Sequence, residues 1–311
     1  MTIHLDIDTV CQMYNPLTLT PDFVLYRFGS SWDSRAEVGR FNMDYLSFIH
    51  MISNTPRYAV IVLYPVTMNF WSMPTHNMHP METLEKVDGP TKLALMDLTD
   101  GSVIEGFETE DPSMVFATHH INAWEEGEEV VVDLSTNRWD AIAKYMEIDM
   151  MLHHEETNNE AAEFVVKRVR LNTRTRETVV QDWPETENLM MNTLDFVVIN
   201  DQFTGYKNRY AYGWVSIDYW RQRLVKRDLV DPAGDRVWGQ ASHYPGEMFF
   251  IPDPQGSAED DGLLITVVFD GEKEESYLLL LDAATFKEVN RAVLPTFVPF
   301  SFHGNWFPEL H

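Results

Sequence analysis

Short apolar runs, each closed by turn residues, set the pattern of this chain. Asp22–Phe28 is one, ended by Gly29-Ser30-Ser31. Tyr58–Tyr64 is a second, ended by Pro65, and Lys92–Leu98 runs into Thr99-Asp100-Gly101, a hairpin-type turn. Glu129–Leu134, Phe164–Leu171, Glu177–Gln181, Tyr210–Val215, Leu263–Phe269 and Ser276–Asp282 continue the series, and Ala284–Val289 links to Arg291–Leu294. These runs are β-branched or aromatic and short, which favours strands. Helical spacing is confined to Trp139–Met146 and, more weakly, Glu155–Ala162. Pro74–Pro90 and Gln255–Asp261 read as loops. Repeated hairpins with few helical windows predict an all-β fold. No linker is long enough to divide the chain, so a single domain over residues 1–311 is expected.

Charge narrows the partners. The 311 residues carry 49 acidic and 23 basic side chains, a net charge of −26. Such a surface repels phosphate backbones, which argues against nucleic acid, and it disfavours anionic membranes unless an apolar patch does the docking. One cysteine, Cys11, excludes an intramolecular disulfide and any multi-cysteine metal site within the chain. No apolar run reaches the ~18 residues of a membrane span. The first residues, Met1–Val10, lack both a basic region and an apolar signal core. The expectation is a cytoplasmic or peripherally membrane-associated protein without a signal peptide or transmembrane segment.

Eleven histidines are the main chemical inventory. His153 and His154 precede Glu155-Glu156 and read as an exposed polar face, and His311 is terminal. His76 and His79 have a spacing that suits a metal on a helix, but Pro74 and Pro80 argue for a loop. His243 has a structural reading. His4, His50, His119 and His303 each adjoin an apolar or aromatic segment. His119 is followed by His120, and strand alternation would send the two rings to opposite faces. At most one of them is then a natural ligand, and a hydrogen-bonded core imidazole is the competing reading of that one.

Four segments carry a resemblance. Thr2-Ile-His-Leu-Asp-Ile-Asp8, Phe48-Ile-His-Met-Ile-Ser-Asn-Thr-Pro-Arg-Tyr58, Phe116-Ala-Thr-His-His-Ile-Asn-Ala-Trp-Glu-Glu126 and Phe300-Ser-Phe-His-Gly-Asn-Trp-Phe-Pro308 resemble, in order, the iron-binding segments of the carotenoid cleavage oxygenases. Their histidines are spaced by 46, 69 and 184 residues. Ile199-Asn200 with Tyr210–Gly213, Tyr244–Pro252, Glu259–Gly262 and Leu279–Phe286 resemble further segments of that family, so the likeness covers essentially the whole chain.

The resemblance implies a seven-bladed β-propeller with Fe(II) on its axis, held by His4, His50, His119 and His303. It implies that Glu247 orients His303 and that Asp195 orients His119. The family has a glutamate at the latter position, so the shorter Asp195 implies a looser or water-bridged contact. Imidazole nitrogen suits iron, and four neutral rings leave the ion its full charge. Carboxylates behind such rings fix their tautomer. O2 is the implied co-substrate and an apolar polyene the implied substrate, with Phe48, Trp124, Phe302 and Trp306 as tunnel-wall candidates. Ordinary core packing is the competing reading for each aromatic.

Two departures matter. In the family a substantial segment precedes the first histidine, supplies early blades and carries another carboxylate, expected to orient the ligand equivalent to His50. This chain is therefore expected to correspond to the C-terminal portion of the family fold, with early blades missing. Pro56-Arg57 also replaces a more acidic pattern near His50. The expected activity is O2-dependent cleavage of a carotenoid or apocarotenoid double bond. The alternatives are a retinoid-isomerase-like reaction or a silent or partner-completed binding subunit.

Overall fold

Runs of alternating buried and open positions, joined by tight turns, favour antiparallel meanders, because each hairpin pairs neighbouring strands without a crossover. The computed structural model describes residues 7–14, 20–28, 34–69, 80–139, 164–184, 189–216, 222–299 and 303–304. Strands β1 (Ile7–Tyr14), β2 (Pro21–Phe28) and β3 (Arg35–Asn42) form the first sheet in that order. Next come β4 (Ser53–Asn54), β5 (Tyr58–Leu63), β6 (Val66–Met68), β7 (Leu84–Lys86), β8 (Thr91–Asp97) and β9 (Val103–Thr109). Of these, β4-β5-β8-β9 make a sheet and β6 pairs with β7. Strands β10 (Ala117–Glu126), β11 (Glu129–Thr136), β12 (Val165–Asn172) and β13 (Thr178–Asp182) make the third sheet.

Strands β14 (Leu194–Val198), β15 (Tyr210–Ser216), β16 (Gln222–Asp228) and β17 (Arg236–Trp238) make the fourth. In the last sheet, β18 (His243–Pro245), β20 (Gly262–Asp270), β21 (Glu275–Asp282) and β22 (Glu288–Val293) follow in order, and β19 (Phe249–Pro252) also pairs with β20. Up-and-down sheets of about four strands, one after another along the chain, are the units from which propellers are built.

The chain divides into two compact units. The first comprises residues 1–144 and 168–181, the second residues 145–167 and 182–311. In the first unit, period-two positions of three strands share one core. Phe23 and Leu25 from β2, Ala59, Ile61 and Leu63 from β5, and Ala94 and Met96 from β8 pack with Phe41, Met43 and Leu98. The turn after β8 needs its glycine. Gly101 has φ +73, and a Cβ there would run into the carbonyl of Val38.

In the second unit, β15 buries Ala211, Tyr212, Trp214 and Val215, and Tyr212 packs against Phe250 and Phe286 at 5.6 and 6.3 Å between ring centroids. The adjoining β16 reads as polar, yet Lys226, Arg227 and Asp228 are all at least 98% buried. Each charge is answered. Lys226 Nζ donates to Asp260 Oδ2 at 2.6 Å and to the Ala283 and Ala284 carbonyls at 2.9 and 2.8 Å. Arg209 grips Asp228 through two hydrogen bonds of 2.9 and 2.7 Å. Arg227 donates to the Met191 and Pro184 carbonyls, both at 2.9 Å.

One expected loop differs. Residues Leu84–Lys86, inside the segment Pro74–Pro90, form β7 against β6. Leu84 is buried there while Glu85 and Lys86 stay exposed, so a single apolar anchor and backbone pairing suffice for a three-residue strand. The expected helices fall on residues outside the described ones from position 140 to 163, as do His76, His79, His153, His154 and His311.

Candidate metal centre

In the first unit, His50 ends the irregular segment between β3 and β4, and His119 lies near the start of β10. Their rings meet edge-on, with centroids 5.3 Å apart and planes at 69°. A ring nitrogen of each lies within 4.8 Å of one of the other. Backbone bonds fix the approach of the His50 segment, since Phe48 N–H donates to the Val66 carbonyl at 2.7 Å. Phe48 itself stacks on Phe116 at 5.4 Å, and Phe116 meets Tyr64 at 5.9 Å. The apolar wall beside His50 is thus an aromatic cluster.

The neighbouring histidine does not behave as simple alternation predicts. His120 is 2% exposed, and the Nε2 atoms of both His119 and His120 are cut off from solvent. The opposite-face arrangement expected from alternation is not kept, and His120 is buried. Two causes act together. Register shifts between β10 and β11 fall between Ala117 and His119 and between His120 and Asn122, so they bracket the pair and disturb the alternation. The partner strand β11 is buried at seven of eight positions, so both faces of this sheet are covered. Nδ1 of His120 lies 3.0 Å from Ser53 Oγ. Burial drives the His120 pKa down to about 3, with His119 and His50 acting in the same direction, so its imidazole is neutral near pH 7.

Trp124 sits farther along β10. It is 2% exposed, donates from Nε1 to Glu126 at 2.9 Å, and lies under Arg168 with the guanidinium carbon 4.8 Å from the ring centroid. Arg168 is in turn held by two 2.8 Å hydrogen bonds to the buried Asp133. These are the contacts of a packed residue whose polar atom is satisfied.

In the second unit, His303 Nδ1 lies 3.4 Å from Glu247 Oε2. The same oxygen accepts the Gly304 N–H at 3.2 Å, so one carboxylate holds both the ring and the backbone beside it. The Phe196 ring packs on His303 with centroids 5.4 Å apart. Phe196 has φ 48, an uncommon conformation for a bulky side chain, where the β14–β15 register shifts between Asp195 and Val198. Asp195, beside it in β14, is 2% exposed. His4, Phe302 and Trp306 lie outside the described residues.

The donor chemistry fits a transition metal. His50 and His119 bring imidazole nitrogens together within one unit, and in the second unit a carboxylate on Nδ1 of His303 leaves its Nε2 available for coordination. Sequence reading did not single out Ser53, Met51, Phe116 or Phe196 as partners of these rings. Ser53 and Met51 lie in the same segment as His50, and Phe196 adjoins Asp195, so proximity along the chain was the available signal.

The sheets and their order have counterparts among solved structures. The cobalt-substituted apocarotenoid oxygenase of Synechocystis superposes with a TM-score of 0.73 at 21% identity, over 93% of this chain and 61% of that one. The fold is the β-propeller type of that oxygenase class. The chain belongs to the retinal pigment epithelial membrane protein family, whose model matches residues 1–308. Curated relatives include a mitochondrial carotenoid-cleaving dioxygenase of Macaca fascicularis, 26% identical over 84% of this chain and 53% of its own length. A chloroplastic 9-cis-epoxycarotenoid dioxygenase of Oryza sativa subsp. japonica is 30% identical over 94% of this chain and 44% of its own length. The chain thus spans about half the length of these relatives. No helix among the described residues is long and apolar enough to cross a membrane.

Proposed function

We propose that this chain belongs to a non-haem iron oxygenase that uses O2 to cleave a carbon–carbon double bond of a carotenoid or apocarotenoid, giving aldehyde or ketone products. The observation that carries the proposal is the His50–His119 pair, 69 residues apart in sequence, with ring centroids 5.3 Å apart. The names of the relatives, carotenoid-cleaving and epoxycarotenoid dioxygenases, supply the substrate class. In this reading His4, His50, His119 and His303 hold one Fe(II). Bound iron would supply the capacity to activate O2 beside the substrate double bond.

The protein's own residues do the rest. The four neutral imidazoles would hold the ion without offsetting its charge. Glu247 fixes the His303 tautomer by accepting a hydrogen bond from Nδ1–H, and Asp195 is assigned the same role for His119. Phe48, backed by Phe116, offers an apolar wall that excludes water and suits a polyene. Phe302, Trp306 and Trp124 are the other wall candidates. An apolar substrate of this kind partitions into membranes, so peripheral membrane contact belongs to the proposal.

Iron content and product analysis test it together. Purified protein should hold about one iron per chain, lose it in His119→Ala, and form shortened aldehydes from a β-carotene and apocarotenal panel only with O2. Products of unchanged length would replace cleavage by isomerisation. Well-folded protein without iron, or iron indifferent to His119→Ala, would overturn the assignment.

A further inference from the structure

His50 is exposed and stands outside any strand, and its ring meets that of His119. The strand that follows it, β4, is only two residues long and pairs with β5 through Ser53 and Asn54 alone. The Phe48 N–H bond to Val66 anchors the chain before His50, and so short a pairing leaves Met51–Ser53 to be fixed by other contacts as well. Two further contacts close the gap, and both end on one residue. Ser53 Oγ lies 3.0 Å from His120 Nδ1, and the Met51 sulfur accepts the His120 backbone N–H at 3.4 Å. Met51 and Ser53 are the first and third residues after His50, and His120 is the residue after His119. The two histidine-bearing segments are thereby fastened together one residue away from the rings that meet.

His120 is suited to this. It is 2% exposed, and its Nε2 has no hydrogen-bond partner among the described residues, so its one side-chain hydrogen bond is the one to Ser53. A buried hydrogen bond is harder for water to replace than an exposed one. Thr55 Oγ1 donating to Glu125 Oε1 at 2.7 Å ties the same segment to β10 farther on, but beyond the point where His50 must be aimed.

We propose that His120 is a positioning residue: through Ser53 and Met51 it holds the His50 segment so that His50 and His119 present their nitrogens to one metal ion. This rests on the metal-centre reading above, and it assigns to His120 no direct contact with the ion. The tether sets the distance between two ligands, so its loss weakens metal binding without removing a ligand.

Cobalt(II) binding to the full chain tests it, read by visible absorption and by competition with a chelator of known affinity. Ser53→Ala and His120→Phe, which keeps a flat aromatic ring but removes Nδ1, should each weaken Co(II) binding about three- to tenfold, the range one hydrogen bond controls. Both should also alter the Co(II) spectrum, and the double variant should lose no more than the weaker single variant, because both remove the same bond. His120→Asn, whose amide reaches the place of Nδ1, should recover most of the affinity. Far-ultraviolet circular dichroism of each variant checks folding, and Ser53→Ala, the milder change, keeps the test decisive should His120→Phe not fold. Unchanged affinity and spectrum in Ser53→Ala, or additive losses in the double variant, would overturn the positioning role while leaving the metal centre intact. A wild-type chain that binds no Co(II) would instead overturn the metal centre, and the positioning role with it.

Discussion

Strands β10 and β16 both bury polar side chains, and they differ in how their charges are met. In β16 the charges of Lys226 and Asp228 are matched by close partners, and Arg227 by two backbone carbonyls and by the Asp235 carboxylate at 3.3 Å, while Gln222 Oε1 and Arg227 Nε make no hydrogen bond among the described residues. In β10 the buried imidazole of His120 keeps one nitrogen without a hydrogen bond among the described residues, and the adjacent His119 meets the ring of His50. Burying a polar group costs free energy unless it is paired. The strand whose charges are paired is therefore scaffold, fixed by its own contacts. The strand whose His119 meets the His50 ring is where a bound ion can add stability. Burial of a polar residue does not by itself distinguish the two, whereas the state of its partners does.

Removing a charge partner from β16 has the largest expected effect. Lys226→Ala leaves Asp260 and the Ala284 carbonyl without this donor and the Ala283 carbonyl with the Tyr212 hydroxyl at 3.3 Å, and should lower unfolding stability by about 3–5 kcal/mol, read by urea denaturation. A loss below 1 kcal/mol would mean that β16 is not the scaffold described. In the same unit as β16, Glu247→Gln keeps the shape but removes the carboxylate beside His303, a candidate ligand. Co(II) affinity should fall about tenfold, the low end for a carboxylate behind a ligand, because the His303 side chain is 48% exposed. Stability without metal should barely change. An equal fall in apo-protein stability would make Glu247 structural instead.

The smallest effect concerns pH. Burial opposes ionisation of Asp228, but the Arg209 hydrogen bond and the N–H groups of Asp231 and Val230 outweigh it and hold the carboxyl below the usual carboxylate range. A depressed carboxyl stabilises the fold above its unfolded pKa, and that contribution disappears as pH falls through the folded value. The stability difference between wild type and Asp228→Asn should therefore be greatest near neutrality and shrink below about pH 4. Urea midpoints across pH 3–7 measure it. Salt should reduce the difference, because the Arg209 side chain is 45% exposed.

Legibility followed the chemistry of burial. Tyr58–Leu63, Gly262–Asp270 and Glu275–Asp282 are visible in sequence because apolar runs bounded by turn residues have few other solutions. Gln222–Asp228 is not, since its lysine, arginine and aspartate suggest a solvated segment until their partners in distant parts of the chain are known. The same holds at the candidate site. His50, His119, His303 and Glu247 stand out from motif and order, and Glu247 does lie beside His303. Ser53 and Met51 carry no motif, and their role depends on which strand packs against theirs.

Residue type and spacing by themselves determined the β class, the acidic surface and the pair His119-His120 as the stretch with the most chemistry, because these follow from local alternation and composition. Only the tertiary structure decided what the two rings do. Register shifts and a sheet buried on both faces turned a predicted inward–outward pair into two buried imidazoles. One meets His50 across 69 residues of sequence, and the other fastens the segment that carries His50. Long-range pairing of that kind depends on strand register and sheet packing, which no local pattern in β10 encodes.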